Sequence, residues 1–126
     1  MNTKKLLLID RDENNQSLVK FGLEMNAGWE VLTAFDGIEG ITLAKLTQPD
    51  VILLDLVMPD LDGLRVCEIL KSNLFTCTIP VIFITTLTHQ ILLSRLKTTL
   101  SEGIILKPFD VINLDLLIAK ICDWQF

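Results

Sequence analysis

The chain of 126 residues lacks any apolar stretch near the roughly 20 residues needed to cross a bilayer. Its longest uncharged apolar runs, such as Leu6–Ile9 and Val51–Leu54, are only a few residues long. The basic start Met1-Asn2-Thr3-Lys4-Lys5 leads into an apolar run that stops at Asp10, too short for a secretory leader, so a cytoplasmic location is expected. Basic residues are also scarce: 11 Lys and Arg stand against 16 Asp and Glu, for a net charge of −5. Direct DNA binding, which needs clustered Lys and Arg, is not expected. The three cysteines, Cys67, Cys77 and Cys122, are odd in number and widely spaced, with no CxxC or Cys/His pairing of the kind zinc requires. Three reduced, mostly buried thiols are expected. No repeat, linker or low-complexity tract divides the chain, so residues 1–126 read as a single domain with no output domain attached.

What the sequence does contain is a regular alternation. Short apolar runs, expected as strands at Lys5–Ile9, Glu30–Ala34, Val51–Leu54, Pro80–Thr85 and Ile104–Leu106, alternate with segments whose apolar residues recur at helical spacing. Those helices are expected at Asn14–Met25, Ile38–Leu46, Leu64–Asn73, Gln90–Leu100 and Val111–Asp123, the last with Leu114, Leu117, Ile118 and Ile121 on one face. Val51–Leu54 and Val81–Ile84 are apolar at every position, the signature of strands covered on both faces. The fold class is therefore α/β, with a parallel sheet between helices. Asn26-Ala27-Gly28 reads as a helix exit and Asp36-Gly37 as a turn, while Gly22 and Gly40 inside expected helices each cost about 1 kcal/mol relative to Ala.

In an open parallel sheet, ligands bind in the crevice beyond the carboxyl ends of the strands. Those ends carry Asp10, Asp55, Thr85 and Lys107. Taken singly, each has an ordinary structural use, since Asp caps helices and Thr suits strands. Four polar groups at the same end of four different strands point instead to a site. A carboxylate there can act as nucleophile and form an acyl phosphate, a second acid can help hold a divalent cation, and Lys and Thr can bind phosphoryl oxygens.

These residues, with Asp55-Leu-Val-Met-Pro-Asp-Leu-Asp-Gly63, Thr85-Thr86 and Lys107-Pro108-Phe109, resemble the receiver domains of two-component response regulators, from Leu6 to about Cys122. The resemblance implies a flavodoxin-like, doubly wound sheet of five parallel strands in the order 2-1-3-4-5 with five helices. It also implies that a histidine kinase or histidine phosphotransfer protein phosphorylates Asp55. Thr85 and Lys107 would touch the phosphoryl group, and Lys107-Pro108 would be cis. Mg2+ would be held by Asp10, Asp55 and the backbone carbonyl of Val57. A downstream protein target would bind the face of the fourth helix, fifth strand and fifth helix, and a homodimer is open.

Two departures matter. Receiver domains usually carry two adjacent acids after the first strand, but here the pair is Asp10-Arg11, which weakens the case for Mg2+. Arg11 either points to solvent, or stands in for the cation, or forks onto a phosphoryl group, or Asp12 replaces the lost ligand. Ile104 occupies the place of the family's switching Tyr or Phe, and a β-branched residue cannot make that rotamer change. Leu92, Leu93, Val111 and Leu116 add apolar surface of the kind that binds partners. His89 reads as a surface residue, and Asp60 and Asp62 as loop acids and a cap for the third helix. Trp29, Trp124 and Phe126 fit packing or partner contact equally well.

The leading reading is a single-domain response regulator that changes its affinity for a partner on phosphorylation. The alternative is a phosphorylation-impaired, receiver-like interaction module, for which Arg11 and Ile104 speak. A phosphohydrolase with an aspartate nucleophile would need a further general acid and a substrate-covering insertion, for which the chain has no spare residues.

Overall fold

The expected apolar runs become the strands of a sheet almost residue for residue. In the computed structural model, which describes residues 3–85 and 100–125, the strands are β1 (Lys5–Ile9), β2 (Glu30–Ala34), β3 (Val51–Asp55), β4 (Val81–Thr85) and β5 (Gly103–Leu106). All neighbouring strands pair in parallel, in the order β2-β1-β3-β4-β5. The helices among the described residues are α1 (Glu13–Ala27), α2 (Gly37–Thr47), α3 (Gly63–Ser72) and α4 (Leu114–Cys122). Of the expected helix Gln90–Leu100 only Leu100 is described, and His89, Leu92, Leu93 and Phe126 lie outside the described residues.

Strand periodicity sorts the core into two layers. Leu7, Ile9, Ile52, Leu54 and Phe83 point to one face of the sheet and pack with Ala44 of α2 and with Leu64, Val66 and Leu70 of α3. Leu6, Leu8, Leu53, Ile82 and Ile84 point to the other, against Val19 and Leu23 of α1 and Leu114 and Ile118 of α4. Helices on both faces leave β3 and β4 buried at every position, which is why these strands show no alternation in sequence. Each fully buried Leu, Ile or Phe contributes about 1.5–3 kcal/mol of transfer free energy.

Side-chain caps start three of the helices: Asp12 accepts from the backbone of Asn14 and Asn15, Asp36 from Glu39, and Asp62 from Arg65. Gly28, at φ 70°, ends α1 in the left-handed region that favours glycine. Gly22 and Gly40 are retained inside helices because a Cβ would strike Val111 and Ile9 respectively. The last helix begins at Leu114 and not at Val111. Asp110 accepts from the Ile112 backbone at 3.0 Å and the Asn113 side chain at 2.7 Å, which holds residues 111–113 in a turn. On α4, Leu114 and Ile118 are buried but Leu117 is 38% exposed, so the expected apolar face is narrower than four residues.

The cysteines are free. Cys67 is buried, and Cys77 and Cys122 are half-buried. Burial pushes the Cys67 and Cys122 thiols up to about 11. Trp29 is buried and meets Trp124 edge-on at 5.9 Å, with the Lys4 ammonium 4.5 Å from the Trp124 ring centre. Among the described residues, no helix is long and apolar enough to cross a membrane.

Candidate functional site

Parallel register carries the four strand-end residues to one edge. Ile9 pairs with Leu54, Asp55 with Ile84, and Thr85 with Leu106, so Asp10, Asp55, Thr85 and Lys107 end their strands at nearly the same level. The Lys107 N–H donates to the Thr85 carbonyl at 2.8 Å, extending the β4–β5 ladder by one bond. The Lys107–Pro108 peptide is cis.

Asp10 is fully buried, Thr85 is 8% exposed and Asp55 9%. The Lys107 ammonium lies 3.4 Å from Oδ2 of Asp10 and 3.8 Å from Oδ2 of Asp55, bridging the two acids. Oδ1 of Asp55 accepts the Val57 N–H at 3.3 Å. Burial, followed by the charge of Asp10, pushes the Asp55 carboxyl up to about 6, against the opposing pull of Lys107 and the Val57 N–H. Asp55 is thus a largely buried strand-end carboxyl raised towards neutrality.

The loop after β3 is bound tightly. The Gly63 N–H donates to the Leu56 carbonyl at 2.8 Å, and a Cβ on Gly63 would collide with the backbone of Asp55 and Leu56. Asp60 accepts from Gly37 and Ile38, each at 2.9 Å, and from Leu61 at 2.8 Å. It therefore ties this loop to the start of α2, a role beyond that of a loop acid or a cap for the third helix. These three backbone donors hold the Asp60 carboxyl below its ordinary value despite desolvation. Asp62 does cap α3, as expected.

Arg11 is exposed, and its side chain makes no hydrogen bond or ion pair with a described residue. Asp12 is committed to capping α1 and is exposed. Two residues that sequence reasoning missed complete the surroundings of Asp10. The Asn15 amide donates to Oδ2 of Asp10. Gln16 is buried, and its amide donates to the carbonyls of Asp10 at 2.6 Å and Ala34 at 3.2 Å, fastening the end of β1 to β2. Neither forms part of a short motif; only the placement of α1 over the sheet edge brings them to the acid. A cavity of about 270 Å3 adjoins the site, lined by Asn15, Leu18, Lys107, Pro108, Phe109 and Val111.

A family model described as the response regulator receiver domain matches residues 6–119. The chain belongs to this family. Receiver domains are the signal-accepting part of two-component systems and interact with histidine kinases or phosphotransfer proteins. The chain is 40% identical over 107 residues to the DNA-binding dual master transcriptional regulator RpaA of Synechocystis sp., covering 85% of this chain and 44% of that protein. It thus spans less than half the length of RpaA. It is 31% identical over 109 residues to the polar-differentiation response regulator DivK of Brucella ovis, covering 86% of this chain and 88% of that one. Among solved structures, the chemotaxis response regulator CheY4 of Vibrio cholerae superposes with a TM-score of 0.85 at 27% identity, over 95% of this chain and 99% of that one.

Receiver domains typically bind Mg2+ in the acidic pocket. The donors here are hard oxygens, as Mg2+ requires, and the adjacent charges of Asp10 and Asp55 would be relieved by a cation. Among the described residues no group of three or more His, Cys, Asp or Glu side chains could hold a metal. Asp10 and Asp55 are two carboxylates, and Mg2+ is commonly bound by one or two carboxylates while it keeps several of its waters.

Proposed function

We propose that this receiver domain accepts a phosphoryl group on Asp55 from a histidine kinase or histidine phosphotransfer protein and changes its affinity for a protein partner as a result. The observation that carries the reading is the bridge of Lys107 between Asp10 and Asp55 at a buried strand edge, with Asp55 the acid next to the Val57 N–H. An oxygen of Asp55 attacks phosphorus, the bond from phosphorus to the donor's imidazole nitrogen breaks, and the imidazole leaves with that electron pair. With its carboxyl at about 6, Asp55 is ionised at neutral pH and ready to attack. The Lys107 ammonium neutralises the transferred oxygens as a point charge, and the Thr85 hydroxyl is the donor for one of them. Asp10, Asp55 and the Val57 carbonyl would hold Mg2+, whose chemistry when bound is to neutralise phosphoryl charge.

Exposed apolar residues on β5 and α4, Ile104, Leu106, Leu116 and Leu117, are the surface on which the downstream partner would dock. With Ile104 in place of an aromatic, the change in affinity does not use a ring rotation at that position. One observation favours the competing reading of a phosphorylation-impaired module: Arg11 is exposed, and among the described residues Asp10 and Asp55 are the acids that pair with Lys107. Weighing the intact chain after incubation with acetyl phosphate, with and without Mg2+, separates the two. A gain of one phosphoryl group, absent in Asp55→Asn, supports the proposal, and no gain under either condition supports the module.

A further inference from the structure

One oxygen of Asp10, Oδ2, is already fully subscribed. Oδ1 accepts the Asp12 N–H at 2.9 Å. Oδ2 accepts the Asn15 amide and faces the Lys107 ammonium at 3.4 Å. A carboxylate oxygen has two lone pairs, so both positions on Oδ2 are taken. A cation that takes Oδ2 must displace one of these two donors. Lys107 is held by two acids and by its place after β5, whereas Asn15 offers a neutral amide from the first turns of α1. Asn15 also lines the cavity of about 270 Å3 beside the site, which gives its side chain room to swing aside. Neither neighbour can take over its part, because Arg11 is turned to solvent and the Asp12 carboxylate is engaged with the backbone of α1.

We infer that Asn15 is a positioning residue that latches Asp10 and competes with Mg2+ for Oδ2. The inference rests on the proposed reading of Asp10 as a cation ligand. The neutral amide shares Oδ2 with the Lys107 ammonium, so a cation that takes Oδ2 requires the latch to open. Asn15 sets the Mg2+ affinity through Asp10 without ligating the ion itself.

The test is calorimetric titration of Mg2+ into the unphosphorylated full chain and into Asn15→Ala and Asn15→Leu, the second variant filling the space of the amide without its donor. Binding is expected to tighten about ten- to a hundredfold in both, the loss expected for one hydrogen bond to a charged acceptor. In wild type, the Asn15 side-chain amide resonances should shift as Mg2+ is added. Unchanged or weaker binding in both variants, or Asn15 resonances that stay fixed at saturating Mg2+, overturns the inference. Tighter Mg2+ binding in a chain that takes no phosphoryl group from acetyl phosphate supports the latch and refutes phosphorylation of Asp55, so the two failures are distinguishable.

Discussion

Replacing Asp55 by Asn should stabilise the fold, and the gain should depend on pH. Asp55 is buried beside Asp10, and its carboxyl is pushed from 3.8 to about 6. The folded chain therefore holds the Asp55 proton more tightly than the unfolded chain does. Its contribution to stability is fully present below about pH 4 and is lost as pH rises through 6. That difference corresponds to at most about 3 kcal/mol at pH 8, and to about 1–2 kcal/mol once solvent screening of the site is allowed for. Asn has the same shape and an oxygen for the Val57 N–H, but no charge to bury. Urea denaturation of both proteins in chelator, from pH 4.5 to 8, reads the effect. Asp55→Asn should be more stable than wild type by about 1–2 kcal/mol at pH 8, with the gap closing towards pH 4.5. A gap that is constant with pH, or a less stable variant at pH 8, would refute the account of how Asp55 is held.

Other outcomes follow from the same geometry. Removing the ammonium in Lys107→Ala takes away a charge that lowers the Asp55 carboxyl, so the pH midpoint for labelling by acetyl phosphate should move above that of wild type; an unmoved midpoint removes Lys107 from the site. Arg11→Asp should leave stability within about 0.5 kcal/mol, because Arg11 is exposed and makes no described contact. It should tighten Mg2+ binding about tenfold or more by adding a hard oxygen and removing positive charge, as calorimetry would show. Wild type binding as tightly as the variant would end that charge argument. Gly63→Ala should cost about 1–3 kcal/mol in urea denaturation, because its Cβ meets the backbone of Asp55 and Leu56 and no flexible side chain can yield. A cost near zero would mean that the loop is not held as described.

The strands were legible because a parallel sheet buried on both faces needs unbroken apolar runs, and Val51–Leu54 and Val81–Ile84 have no other use. Asp10, Asp55, Thr85 and Lys107 were legible for the same reason: each is the first polar residue to end an apolar strand. The start of α4 was harder to read. Val111 and Ile112 are apolar and fit the helical period, and only the hydrogen bonds of Asp110 reveal a turn. Asn15, Gln16 and Asp60 were not legible as parts of the site, since their partners lie on other elements or across the first turn of α1. Side-chain amides and exposed acids bond to whatever the tertiary fold brings near, and Asp60 reaches Gly37 across 23 residues of sequence.

Phosphorylation of Asp55 is tested most directly by incubating the chain with acetyl phosphate and Mg2+, trapping the acyl phosphate with borohydride and mapping the modified residue by mass spectrometry. The account predicts one modification, on Asp55, that is absent in Asp55→Asn. A label on Asp10 or His89, or a label that persists in Asp55→Asn, would contradict it.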